Sequence, residues 1–267
     1  MKKEATLTVT EAQLEEMFEV TTVGYHDQLY VNIGGDRVRL LAGAPGSSAG
    51  TYTDFVGAFF EGVDGSTEAY LKAGEVLSYI ELVSSGPSSK MDIEFYGSED
   101  DRLASKMVVT PAGDHDNFEV TLVLSSGTSV LESIPSNLPQ QFDKEHRFVA
   151  PGSDKPLSTS INTTVSELRK INNAVSLRED LDYKPITVKD GAFRLDVGDE
   201  ANQKVSAKLQ GEVEGPDVSS EYGGHFDEIV KTLDGGVTLY LDEDGGPLEV
   251  LQEKNHMTIR HLLASVK

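Results

Sequence analysis

SSEYGGHFDEIVKTLDGGVTLYLDEDGGPLEVLQ, residues 219–252, is the stretch whose reading decides the fold. Its apolar residues recur at helical spacing over 219–233, which predicts a helix there. GVTLYL (236–241) and LEVLQ (248–252) then read as strands, with the turn signal DEDGG between them. An earlier segment has the same organisation. STEAYLKAGEVLSYIELV (66–83) reads as a helix with Ser66 or Thr67 as its N-cap, and MDIEFY (91–96) follows as a strand. Tyr70 and Leu77 match Tyr222 and Ile229, each 152 residues further on. A second pair of helices is expected at TEAQLEEMFEV (10–20) and TTVSELRKINNAVS (163–176), where Leu14 and Met17 match Leu168 and Ile171 at an offset of 154. In the first of these, Thr10 and Gln13 have capping-box spacing. A duplication with a period of about 153 accounts for both offsets, and coincidence between ordinary amphipathic helices is the competing account.

Most of the remaining chain reads as strands: QLYVNI (28–33), RVRLLA (37–42), TYTDFV (51–56), NFEVTLVL (117–124), PITV (185–188), AFRLDV (192–197), QKVSAKLQ (203–210) and MTIRHLL (257–263). Between the two halves, IPSNLPQQFDKEHRFVAPGSDKP (134–156) carries four prolines and spaced bulky residues. Such a segment is expected to lie along a surface as a stiff connection. The chain is therefore expected to be α+β, with two similar domains at 1–133 and 157–267 joined by 134–156.

Composition narrows the function. The 267 residues, 38% hydrophobic, suffice for one large or two ordinary cores. With no cysteine there are no disulfides, thiolate metal sites or Cys nucleophiles. No apolar run approaches a membrane span and MKKEATLTVTEAQLEE lacks a signal-peptide core, so a soluble, cytoplasmic protein is expected. Asp and Glu number 45 against 23 Lys and Arg, a net charge of −22 spread over the whole chain. A surface of that kind suits a salt-loving cytoplasm, with an ordinary acidic protein as the alternative, and it excludes tight non-specific binding of nucleic acid by the surface at large. Against this background VSELRKINNAVSLR (165–178) is unusual, with three basic residues and one acid. Val165, Leu168, Ile171 and Val175 mark its apolar side; Ser166, Arg169, Lys170 and Asn173 share the other. A solvated face is the plain reading of that polar side.

The sequence holds no P-loop, nucleophile elbow, HExxH or dinucleotide fingerprint. The histidines His26, His115, His146, His225, His256 and His261 lack metal-ligand spacing on a helix. DHD (114–116) is a turn-like cation candidate of the kind expected by chance in an acidic chain, and GAPGSSAG (43–50) lacks the Lys of a phosphate cradle. No enzyme activity, metal or cofactor is expected.

The C-terminal stretches carry a resemblance. An aromatic-led helix, a strand, a turn with Pro247-Leu248 and a last strand running into Leu263-Ala264 resemble the DNA sliding clamp family of archaea and eukaryotes, PCNA. Ser265 replaces the family's usual proline, and Leu262 stands where an aromatic is frequent. FDKEHRFVAPGSDKP (142–156) resembles the archaeal interdomain connecting loop. The resemblance implies a non-enzymatic polymerase processivity factor, of haloarchaeal or haloarchaeal-virus type. Its two clamp domains would each pack two helices on antiparallel sheets, and three subunits would close head to tail around duplex DNA. By similarity, Phe118, Val120 and Leu122 of one subunit would meet Lys204, Val205, Ala207 and Leu209 of the next. Lys72, Arg169, Lys170, Asn173 and Lys231 would face DNA. Leu40, Leu41, Phe142, Phe148, Pro247, Leu248, Leu262, Leu263 and Ala264 would form a groove for DNA polymerase and other clients with a short apolar-aromatic motif, and a clamp loader would act as partner. Family inner helices are usually rich in Lys and Arg, whereas residues 10–20 here contain none and carry Glu11, Glu15, Glu16 and Glu19. The alternatives are a β-rich capsid or tail protein of a halophilic virus, favoured by the sparse basic residues, and, more remotely, a carbohydrate- or metal-binding hydrolase.

Overall fold

The computed structural model describes residues 1–23, 27–43, 49–98, 103–113, 119–124, 149, 156–178, 181–198, 204–242 and 246–266. It divides into two compact units. The first comprises Met1–Ala44, Thr51–Pro135 and Lys254–Ile259, and the second Pro45–Gly50, Ser136–Glu253 and Arg260–Lys267.

The first unit runs β1 (Lys2–Thr10), α1 (Glu11–Thr22), β2 (Gln28–Gly34), β3 (Arg37–Gly43), β4 (Ala49–Val56), β5 (Gly62–Lys72), α2 (Ala73–Val83), β6 (Lys90–Gly97), β7 (Ala104–Pro111) and β8 (Val120–Val123). The second runs β9 (Thr159–Thr164), α3 (Val165–Ser176), β10 (Lys184–Lys189), β11 (Ala192–Val197), β12 (Val205–Lys208), β13 (Glu212–Glu214), β14 (Val218–Tyr222), α4 (His225–Thr232), β15 (Gly236–Leu241) and β16 (Leu248–Lys254), with β17 (Met257–Leu263) last. The two series repeat in order, with β5 of the first answered by β13 and β14 of the second. Helix α3 starts 154 residues after α1 and α4 starts 152 after α2, the offsets expected of a duplication.

Strand pairing repeats as well. In the first unit the order is β4-β3-β2-β5-β1-β6-β7-β8; in the second, β13-β9-β15-β16 forms one sheet and β12-β11-β10-β14 another. Strand β5 uses its two halves differently: Gly62–Gly65 pairs with β1, and Ser66–Lys72 pairs with β2. Its counterpart is broken in two, so that β13 pairs with β9 and β14 with β10. Both corners carry a left-handed glycine. Gly65 has φ +83° and Gly215 φ +107°, and a Cβ would lie 2.1 Å from the Glu4 carbonyl oxygen at the first and 2.4 Å from that of Ser158 at the second. Only glycine fits either corner.

The helices bury the sides that the periodicity predicts. Leu14, Met17 and Phe18 of α1, Val76 and Ile80 of α2, Leu168 and Ile171 of α3, and Phe226 and Ile229 of α4 all pack inward. The capping box of α1 is present: Gln13 N–H donates to Thr10 Oγ1, and Thr10 N–H to Gln13 Oε1 at 2.8 Å. Burial pushes the Tyr222 phenol up to about 12, and its hydroxyl donates to the Gly246 carbonyl. Complete burial pushes the His261 imidazole down to about 3. Arg260 and Glu249, both buried, form an ion pair.

Two expected helices are shorter than their sequence patterns. Residues 66–72 belong to β5, so Ser66 and Thr67 are strand residues and the N-cap of α2 is Lys72, with no side-chain cap. Residues 219–222 belong to β14, and α4 begins at His225. Alternate burial of Thr67, Ala69 and Leu71 against β2 overrides the helical composition of EAYLKA. The strand expected over 117–124 is described as β8, and that over 203–210 as β12. Strands β1, β7, β9, β13 and β14 were not legible as strands in the sequence.

Candidate nucleic-acid interface

The helix faces turned away from the sheets differ sharply between the units. In the first unit α1 exposes Glu15, Glu16 and Glu19, while α2 exposes Glu75, Glu81, Tyr79 and Leu82. Lys72, exposed at the β5–α2 junction, is the cation expected here, and Glu75 follows it within one turn. A phosphate backbone would meet repulsion from this face.

In the second unit, Arg169, Lys170 and Asn173 of α3 and Lys231 of α4 are all exposed. A groove of about 420 Å³ runs between the helices, lined by Arg169, Asn172, Asn173, Ser176, Asp227, Val230 and Lys231. The structure thus brings together Arg169, Asn173 and Lys231. Arg169, Asn172, Asn173 and Ser176 stand at i, i+3, i+4 and i+7, one stripe of the helix. That spacing is the signal by which Asn172 and Ser176 were findable, and it passes by Lys170.

Lys170 is otherwise engaged. Its ammonium lies 2.7 Å from Glu167 Oε1, and the Glu167 carboxylate is buried in the first turn of α3, where it also accepts the Gln210 backbone N–H. Removing Lys170 would leave a buried carboxylate with one partner fewer, so this lysine serves the helix as much as the surface. Arg169 and Lys231 make no ion pair among the described residues. Asp227, at the groove's rim, is paired with Lys184 at 2.9 Å, which draws its charge back toward β10.

The residues expected at a client groove divide by burial. Leu40, Leu41, Leu248 and Leu263 are at most 2% exposed and belong to the core. Side chains so covered lie beneath the surface of the expected groove wall. Pro247 and Leu262 are half-buried and Ala264 is exposed. Phe142 and Phe148 lie outside the described residues. Of the expected subunit contacts, Phe118 lies outside the described residues. Val120 and Val205 are half-buried, Lys204 and Ala207 exposed, and Leu122 and Leu209 buried.

Among the described residues, no cluster of three or more His, Asp or Glu side chains is arranged to hold a metal. No described helix is long and apolar enough to cross a membrane. The DHD stretch at 114–116 lies outside the described residues.

No protein-family model matches this chain, and no curated protein matches it either. Solved structures do. The chain is 14% identical to A. fulgidus PCNA bound to the C-terminal region of FEN-1, with 98% of each chain covered and a TM-score of 0.67. It is 12% identical to the Proliferating Cellular Nuclear Antigen of Entamoeba histolytica over the full length of both, with a TM-score of 0.68. To the DNA polymerase III beta subunit of Thermotoga maritima it is 12% identical, with a TM-score of 0.70, spanning 66% of that chain. The class these likenesses define is structural: a duplicated α+β chain with the sliding-clamp fold. In particular, this chain has the two-domain form that covers PCNA from end to end.

Proposed function

We propose that this protein is a DNA sliding clamp, a non-enzymatic processivity factor that closes head to tail into a homotrimer and encircles duplex DNA. The observation that carries the reading is the duplicated unit, alike in element order and strand pairing, whose likeness to PCNA extends over the whole chain. DNA polymerase and other proteins bearing a short apolar-aromatic motif would be its clients, with Pro247, Leu262 and Ala264 as the accessible remnant of the expected groove, and a clamp loader would place it on DNA. The acidic surface fits a prokaryotic cytoplasm of high salt, whether the chain is cellular or virus-encoded. The sparse basic residues, which favoured a capsid or tail component, are compatible with a clamp on physical grounds. Arg169 and Lys231 supply two phosphate contacts per subunit, hence about six per ring, and the logarithm of affinity then falls with that of salt at a slope of about −5. At molar salt such contacts add little, and retention rests on encirclement. The contacts that remain are sequence-blind and set position only.

The test needs no loader. The protein is threaded onto a linear duplex at molar KCl, and the ends are then blocked with streptavidin. Retention on blocked DNA with release from open DNA is the expected result, with Arg169→Glu/Lys231→Glu little changed at molar KCl and threading less efficiently only at lower salt, at unchanged oligomer mass. Equal retention on both DNAs, or retention on neither, would overturn the reading.

A further inference from the structure

Sheet edges are open to pairing unless something covers them. In the first unit the outer edge of β4 is occupied, since Val56 N–H donates to the His256 carbonyl at 3.0 Å. In the second, the outer edge of β14 is occupied by the chain end: Tyr222 bridges Ser265, and Val266 N–H donates to the Glu221 carbonyl at 2.9 Å. Strand β13 is three residues long and carries Glu212 and Glu214, a blunted edge. Among the described strands this leaves β8 in one unit and β12 in the other, each terminal in its sheet. Both lay apolar side chains bare. Val123 is 89% exposed, Ala207 is exposed, and Val120 and Val205 are half-exposed.

From these edges we infer the register in which β8 of one copy joins β12 of the next: Glu119 opposite Lys208, Val120 opposite Ala207, Thr121 opposite Ser206 and Leu122 opposite Val205. The inference rests on the head-to-tail reading above and adds the register and its charge lock. Parity removes half of the choices. On β8, Val120 and Leu122 share the helix side of the sheet with Val109 and Met107, whereas Thr121 and Val123 face outward. On β12, Val205 and Ala207 share the helix side with Val197 and Leu195, and Ser206 and Lys208 face outward with Asp196 and Arg194. The register that overlaps all four residues of both strands sets Leu122 against Ser206 and mixes the two faces. A shift by one residue flips every side chain, so only alternate antiparallel registers keep apolar on apolar. Two of these overlap three residues of each strand. One sets Lys208 against Thr121; the other sets it against Glu119, an opposite-charge cross-strand pair. In a chain of net charge −22, a lysine on the joining edge facing a carboxylate on the entering one selects the second.

Because the chain has no cysteine, the register can be read covalently. One copy carries Thr121→Cys and a second carries Ser206→Cys, Lys204→Cys or Lys208→Cys; mixtures are oxidised at molar KCl and run on denaturing gels. The Thr121→Cys with Ser206→Cys mixture is expected to give the highest yield of covalent dimer. Glu119→Lys or Lys208→Glu alone should weaken association about fivefold per joint at moderate salt, with the double exchange restoring it. A preference for the Lys204→Cys or Lys208→Cys partner overturns the register and leaves edge pairing standing. Trimer mass without any crosslink overturns the joint but not the ring, and monomer mass without crosslinks overturns both.

Discussion

Gly65 and Gly215 hold equivalent corners, and their demands are stricter than their place in the sequence suggests. Each turns a strand away from one neighbour toward another with a positive φ, and each backbone passes so near a carbonyl oxygen that an added methyl group would lie well within van der Waals contact distance of it. Alanine there meets both a backbone strain and a clash, so Gly65→Ala and Gly215→Ala should each cost about 1–3 kcal/mol in urea unfolding. Gly74 is the contrast. It lies exposed in α2, with nothing within 4 Å of a built Cβ, and Gly74→Ala should gain about 0.5–1 kcal/mol. Loss of stability at Gly74, or neutrality at the two corners, would contradict the assigned backbone geometry.

At the scale of elements, the two halves keep the same plan and differ in detail. The cap of α1 is complete, whereas Thr164 before α3 makes no cap bond and its hydroxyl pairs with Ser166 instead. Thr10→Ala should therefore cost about 1 kcal/mol and Thr164→Ala clearly less, as read from thermal or urea midpoints. Equal costs would argue against the cap assignment. Such details explain how far the sequence could be read. Helices α1 and α3 were legible because their apolar residues follow one period from cap to end. The segments 66–72 and 219–222 were not, because Glu68, Ala69 and Leu71 favour helix locally while pairing to β2, many residues away in sequence, imposes the strand. Strand β9 escaped for a related reason. TSINTT is polar, and its burial comes from β15 on one side and β13 on the other. The groove between α3 and α4 was half legible: Arg169 and Asn173 follow from the stripe on α3, but Lys231 joins them only through helix packing. The burial of Leu40, Leu41, Leu248 and Leu263 could not be read from type alone, since a leucine suits a core and a groove equally.

At the scale of the whole molecule, charge would decide when copies assemble into the proposed ring. Each chain carries −22, and copies brought edge to edge repel one another unless salt intervenes. The screening length shrinks from about 10 Å at 0.1 M to about 3 Å at 1 M, which removes long-range repulsion and would leave strand pairing and apolar contact at the proposed joint. Cations on the joining edge and in the α3–α4 groove stand out against an acidic background, the distribution expected if self-association and DNA are both met locally. The central claim, a closed ring of three duplicated chains, is tested most directly by mass in solution at molar potassium chloride. Light scattering should return the mass of three chains of 28.9 kDa each, independent of protein concentration over the measured range. A monomer mass under those conditions would contradict the claim.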